Sequence, residues 1–287
     1  MMSWNQVTID VPDDLVDTIV GELSADGVAG VWETDSLSPG QTRLVCYFTP
    51  GGASERIEDI LHSIFERAQR PGPTVVRSLV EERDWTEEWK KSYKSFPVAD
   101  SFFVIPSWED SGCPSDRLPI RIDPGQAFGT GTHETTQLTM EALERWIEPT
   151  HVVLDLGTGS GILAIASRLL GAGQVYACDI DPVAVQVARA NIDRNSAPDV
   201  FTFCGSLDAI RNDSIHLLLG NLTADVIMTL FPEFERVLRP HGLAILSGIL
   251  RQQREDVREI VARHSFNVFE EITQGEWLAM IVEKHGS

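Results

Sequence analysis

The chain has 287 residues, enough for roughly two domains at about 150 residues each. Hydrophobic residues at 43% and charged residues at 23% exclude a disordered, collagen-like or disulfide-scaffold protein. With 23 Lys+Arg against 43 Asp+Glu the formal charge is −20, which repels phosphate backbones and anionic lipid heads. The expectation is no direct nucleic-acid binding and either a basic partner or an acidic surface kept for solubility. Cys46, Cys113, Cys178 and Cys204 form no Cys-x-x-Cys pair and have no His at ligand spacing, so no metal site and no disulfide framework is expected. No basic-then-apolar leader and no bilayer-length apolar run is visible, and the expected location is cytoplasmic.

From Trp4 to Val80 the pattern predicts strand, helix, strand, strand, helix, strand. Trp4 to Val11 alternates, and Pro12-Asp13-Asp14 opens a helix whose Leu15, Ile19 and Leu23 recur at four. Gly30 to Thr34 and Arg43 to Phe48 are strands separated by turn residues. Ile57, Leu61, Ile64 and Ala68 line a second helix, Pro71-Gly72-Pro73 stops it, and Thr74 to Val80 is a β-branched strand. That order is a small ferredoxin-like α+β domain, residues 1–82. Trp85, Trp89 and Tyr93 then share one face of a linker helix, 83–95, read as the seam between domains rather than a ligand platform.

In residues 96–287 short buried strands alternate with helices, the signature of a Rossmann-like, mainly parallel sheet. Its strands read 151–156, 174–179, 200–204, 215–220 and 242–248, with helices after the first, second and fourth. A terminal pair, 266–273 and 276–283, turns at Gln274-Gly275.

The first of these strands runs into Asp155-Leu156-Gly157-Thr158-Gly159-Ser160-Gly161, where glycines let a ligand approach the backbone or simply make a tight turn. A dinucleotide fingerprint requires Gly or Ala where Ile162 stands, which disfavours a nicotinamide oxidoreductase. The Asp-x-Gly-x-Gly-x-Gly spacing instead resembles the S-adenosylmethionine turn of class I methyltransferases. Asp179 ends the next strand 22 residues after Gly157 and can accept both ribose hydroxyls. Asp181, before Pro182, reads as a helix cap. Ser206, in Gly205-Ser206-Leu207-Asp208, falls where an adenine edge would be read. Asn221-Leu222-Thr223-Ala224 ends the fourth strand, at a place where many amine methyltransferases carry an Asn/Asp-Pro-Pro-aromatic turn; only the Asn is kept.

Upstream, Asp123-Pro124-Gly125-Gln126-Ala127-Phe128-Gly129-Thr130-Gly131-Thr132-His133-Glu134-Thr135-Thr136 is a glycine-rich loop leading into a helix that ends near Ile147, a composition suited to a clamp over a ligand. His133 reads either as a base or as a helix-start residue. This loop, together with Leu-Asp-x-Gly-x-Gly-Ser-Gly-Ile-Leu-Ala-Ile-Ala, Asp-Ile-Asp-Pro and Asn-Leu-x-Ala, closely resembles the ribosomal protein L-eleven (L11) methyltransferase family, PrmA. Trp85 and Trp89, Ile105-Pro106-Ser107-Trp108, Gly248-Ile249-Leu250 and Gly275-Glu276-Trp277 extend the resemblance, which is strong over residues 84–287.

The resemblance implies a class I methyltransferase domain of seven strands. It implies transfer of methyl groups from S-adenosyl-L-methionine to Lys side chains and the N-terminal amine of L11, with S-adenosyl-L-homocysteine as product. Family cofactor positions fall on Thr136, Gly157, Asp179 and Asn221, with Gly159, Ser206 and Phe128 alongside. Asn221 and the backbone carbonyl of Leu222 are the expected amine-holding groups, the N-terminal domain is the expected substrate-recognition unit, and the expected state is a monomer. Two rival readings are a lysine methyltransferase with another target, like the electron-transfer flavoprotein β-subunit enzyme, and a ribosome-assembly protein without turnover.

Overall fold

In the computed structural model the chain divides into two compact units, Met1–Tyr93 and Lys94–Ser287. The residues described are 3–25, 28, 30–35, 40–48, 56–81, 93–123, 129–197 and 199–286. Trp85 and Trp89 of the expected linker helix lie outside them; Tyr93 is buried.

Among the described residues the first unit runs β1 (Ser3–Pro12), α1 (Val16–Ala25), β2 (Gly30–Asp35), β3 (Gln41–Phe48), α2 (Ile57–Arg67) and β4 (Val76–Glu81). The strands order β2-β3-β1-β4 with antiparallel neighbours, the ferredoxin-like arrangement. Period-two alternation turns Val7, Ile9 and Val11 of β1 and Leu44, Cys46 and Phe48 of β3 inward. There they pack with Ile19 and Leu23 of α1 and Ile57, Leu61 and Ile64 of α2.

The second unit opens with a small sheet in the order β5-β6-β7, made of β5 (Phe96–Val98), β6 (Phe102–Pro106) and β7 (Leu118–Ile122). Then follow α3 (Glu134–Trp146), β8 (Val152–Leu156), α4 (Ile162–Leu169), β9 (Gln174–Asp179), α5 (Pro182–Arg194) and β10 (Val200–Cys204). β11 (Ile215–Asn221), α6 (Ala224–Val237), β12 (Leu238–Leu250), α7 (Arg254–Arg263), β13 (Phe266–Gln274) and β14 (Trp277–Lys284) complete it.

The large sheet has the order β10-β9-β8-β11-β12-β14-β13, parallel except for β14, which runs antiparallel to both neighbours. Residues of α3, α4 and α5 join the core on one face, and those of α6 and α7 the core on the other. The central strands β8 and β11 are therefore covered on both sides, which is why they read as mainly apolar runs, interrupted by Asp155 and His216. Strand order reverses between β8 and β11, so a crevice opens at their carboxyl ends.

The structure differs from the sequence expectation in three places. The small sheet is not among the strands the sequence predicts, because its strands are three to five residues long. α7 follows the fifth strand, where no helix was expected. It buries only Val257 and Val261 among charged neighbours, too thin a stripe to register as periodicity. β12 also begins four residues before the expected Gly242.

Candidate active site

The glycine turn after β8 has left-handed backbone at Gly157, Gly159 and Gly161, with φ of 69°, 54° and 83°. A Cβ at Gly157 would lie 2.6 Å from Leu222 Cδ2, so the turn and the end of β11 meet across a gap that only glycine leaves open. A pyrophosphate-binding turn presents its amides to the ligand. Here Gly157 and Thr158 N–H both donate to Cys178 C=O, Gly161 N–H donates to Thr158 C=O, and Gly159 N–H donates to Asp179 Oδ2 at 3.0 Å. With those donors committed, the turn does not suit a diphosphate.

Beneath the turn, Asp155 is fully buried. Its Oδ2 accepts from Thr158 Oγ1 (2.6 Å) and Ala164 N–H (3.1 Å), while its Oδ1 finds no partner among the described residues. Burial pushes this carboxyl up to about 7, against the pull of those two hydrogen bonds and with a push from the Asp179 charge. A raised folded-state value means that stability falls as pH climbs from the ordinary carboxylate value, 3.8, to about 7, with a slope of up to roughly 1.4 kcal/mol per pH unit. Asp155→Asn removes that slope. Its stability difference from the parent, measured by urea unfolding, is expected to move in the variant's favour between pH 4 and 7; a difference independent of pH would show that Asp155 does not titrate in that range.

Asp179 is half-buried at the end of β9, and its Oδ1 also accepts from Asp181 N–H at 3.0 Å. The acid thus ties the turn to the start of α5, where Asp181 caps through Val183 N–H (2.8 Å) ahead of Pro182, as its spacing predicts. Two ordered amides on a carboxylate still leave lone pairs for a diol. Asp179→Ala is expected to weaken S-adenosylmethionine binding by about tenfold, the scale of a charge-assisted hydrogen bond. Titration calorimetry checks this, and an unchanged dissociation constant in a folded variant would remove Asp179 from a ribose-holding role.

On the other side of the crevice Asn221 and Thr136 come together, Nδ2 of the former donating to Oγ1 of the latter at 3.2 Å. Thr136 is fully buried in the first turn of α3. Ser247 Oγ on β12 donates to the neighbouring Thr135 C=O at 3.0 Å, so this turn is fastened to β11 and β12 alike. Leu222 N–H donates to Ser247 C=O (3.0 Å), and Gly248, at φ 86°, leaves room for the Leu222 carbonyl, which any Cβ there would strike. His133 is the N-cap of α3: its Nδ1 accepts from Thr135 N–H, and its ring packs edge-on against Trp277 at 5.0 Å. The helix-start reading of His133 accounts for these contacts. Ser206 is half-buried after β10, next to Gly205, whose N–H donates to Asp179 C=O. Phe128 lies outside the described residues.

Sequence reasoning assigned no role to Asp155, Ser160, Asn191 or Ser247, the buried polar residues that hold these turns. The signal available was polarity inside otherwise apolar stretches, as with Ser247 in Leu-Ser-Gly and Asp155 in Leu-Asp-Leu. A surface cleft of about 570 Å³ opens where the strands begin, lined in part by Trp146, His151, His216 and Arg239, and contains none of the expected site residues.

A strand-end carboxylate beside a glycine turn whose amides are already bonded suits a cationic nucleoside cofactor, and the sheet order adds the rest: these features define a class I S-adenosylmethionine-dependent methyltransferase. The profile of the ribosomal protein L11 methyltransferase (PrmA) family matches residues 3–285, and the chain belongs to that family. It is similar to the ribosomal protein L11 methyltransferase of Pelobacter propionicus, at 37% identity over 302 residues covering 98% of this chain and 97% of the relative. The corresponding protein of Anoxybacillus flavithermus is 32% identical, covering 99% of this chain and all of the relative. Among solved structures, ribosomal protein L11 methylase from Lactobacillus delbrueckii subsp. bulgaricus matches 67% of this chain and 100% of its own, with TM-score 0.63 and 33% identity. Among the described residues no helix is long and apolar enough to cross a membrane.

Proposed function

We propose that this chain methylates Lys side chains and the N-terminal amine of ribosomal protein L11, releasing S-adenosyl-L-homocysteine, as a cytoplasmic monomer that binds no nucleic acid. The first unit recognises L11 and the second carries the chemistry. The observation that carries the reading is the fastened Asn221-Leu222 turn, facing the glycine turn across the switch point of the sheet. The charge of −20 supports a Lys-rich partner.

S-adenosylmethionine, when bound, supplies a methyl group on a sulfonium. Gly157, Gly159, Asp179 and Ser206 would hold it, with Thr136 beside them and Phe128 as a further cofactor-contacting residue. The attacking amine must first be neutral, which for a free Lys at pH 7 costs about 4.6 kcal/mol, from about 3.4 pH units at 1.36 kcal/mol each. A dry pocket next to a cation lowers that cost without a dedicated base. Asn221 is bound to Thr136 through its Nδ2, so its Oδ1 is the end left to accept from the amine. That bond, with a second to the Leu222 carbonyl, aims the amine's lone pair. His133 stays a capping residue and moves no proton.

The test is intact-mass analysis of purified L11 after incubation with this protein and labelled S-adenosylmethionine. A gain in mass in steps of one methyl group is expected. Unmodified L11 in the presence of bound cofactor would assign the activity to another protein target.

A further inference from the structure

Asn191 in the last turn of α5 and Asn195 just beyond it lie one turn apart, and the functional reading uses neither. β7 is an edge strand of the small sheet, so alternate residues along it turn a backbone N–H and C=O away from β6. Asn195 meets those of Arg121, accepting at Oδ1 (2.8 Å) and donating from Nδ2 (2.6 Å). Asn191 meets those of Asp123 in the same way, at 2.9 and 3.1 Å. A side-chain amide has the donor and acceptor of a peptide group, so the pair acts as a substitute strand.

Asn191 does one thing more. Its Nδ2 also donates to Ser160 C=O in the glycine turn at 2.8 Å, and its Oδ1 also accepts from Arg194 Nη1 at 2.6 Å. Both donors and both acceptor positions of the amide are then used. Ser160 Oγ in turn donates to Gly129 C=O at 2.5 Å, ahead of α3. Asn191 and Ser160 are both fully buried. Two side chains thus tie the glycine turn to Asp123 and to Gly129, six residues further along the chain.

Ser160 sits between two glycines in left-handed backbone, a stretch with little conformational preference of its own. Two of the turn's pins, Cys178 C=O and Asp179, come from β9, the strand that borders the cofactor side of the crevice. Asn191 supplies the pin from outside. We infer that Asn191, acting with Ser160, is a positioning residue that holds the glycine turn and the Gly129 segment in their cofactor-binding arrangement. The inference rests on S-adenosylmethionine being the ligand of this crevice. Loss of the pin lowers the fraction of molecules with a competent turn, and apparent cofactor affinity falls by that fraction. The amine-holding turn at Asn221 is fastened separately, through Thr136 and Ser247, and keeps its geometry.

The experiment uses the full chain, titrated with S-adenosylmethionine by calorimetry and assayed on L11. Asn191→Asp keeps the shape of the side chain but turns both donors into an oxygen facing two carbonyls. It is expected to raise Kd and KM for S-adenosylmethionine by about tenfold or more, with kcat at saturating cofactor and KM for L11 within about threefold of the parent. Ser160→Ala, which removes only a hydroxyl, is expected to raise the same Kd about threefold and decides the matter if Asn191→Asp does not fold. Dissociation constants within twofold of the parent in the folded variants would overturn the inference. So would a loss of kcat as large as the rise in cofactor KM. A parent protein that binds no S-adenosylmethionine would overturn the cofactor reading itself, and the inference with it.

Discussion

Asn221→Ala is expected to lower kcat for L11 methylation by about a hundredfold while shifting KM for L11 less than threefold, because the lost interaction orients the amine rather than collecting it. The side chain is half-buried at the end of β11, and its Nδ2 is engaged by Thr136, so the carbonyl end has a fixed direction. An alanine leaves the turn's backbone bond to Ser247 intact, and the fold should survive. Asn221→Asp is expected to be equally poor for a different reason. A carboxylate beside the sulfonium stabilises a charge that vanishes as the methyl leaves, and it favours the protonated, unreactive amine. Single-turnover kinetics with saturating cofactor and L11 separates alignment from binding. A methyl-transfer rate within twofold of the parent for both variants would move the aligning role away from Asn221.

Much of this arrangement is legible in the sequence because strand ends carry their own punctuation. Asp155 to Gly161, Asp179 to Pro182 and Asn221 to Ala224 each mark where an apolar strand meets a polar turn, and parallel topology brings all three to one edge. What binds those turns to each other is not legible. The Asn221 to Thr136 contact spans 85 residues, and the Asn191 to Asp123 contact spans 68. No periodicity registers a single amide meeting a backbone group that far away. The small sheet went unread for a related reason: its strands are too short for alternation, and β7's free edge is completed by asparagine side chains rather than by another strand. Asp155 was visible as part of a glycine motif, yet its titration near neutral pH follows from complete burial, which only the packed structure fixes.

Removal of residues 1–82 is expected to reduce methylation of L11 by about a hundredfold or more while leaving S-adenosylmethionine affinity within about twofold of the parent. The first unit has its own core, in which Ile9, Leu44, Phe48 and Leu61 pack among themselves, so the second unit does not depend on it for burial. Every described residue expected at the cofactor, from Thr136 through Asn221, belongs to Lys94–Ser287. Its two sheet faces are covered by the helices of that same unit, and the glycine turn is pinned by Cys178, Asp179 and Asn191 without help from residues before 94. A catalytic unit left alone must meet its protein substrate by free collision. With a tethered recognition unit the second encounter is intramolecular, an advantage of about 10² or more in effective concentration. Calorimetry with S-adenosylmethionine and mass analysis of L11 read the two halves of the expectation separately. Truncated protein that binds the cofactor and methylates L11 at the parental rate would remove substrate recognition from the first unit and place it on the surface around Asn221.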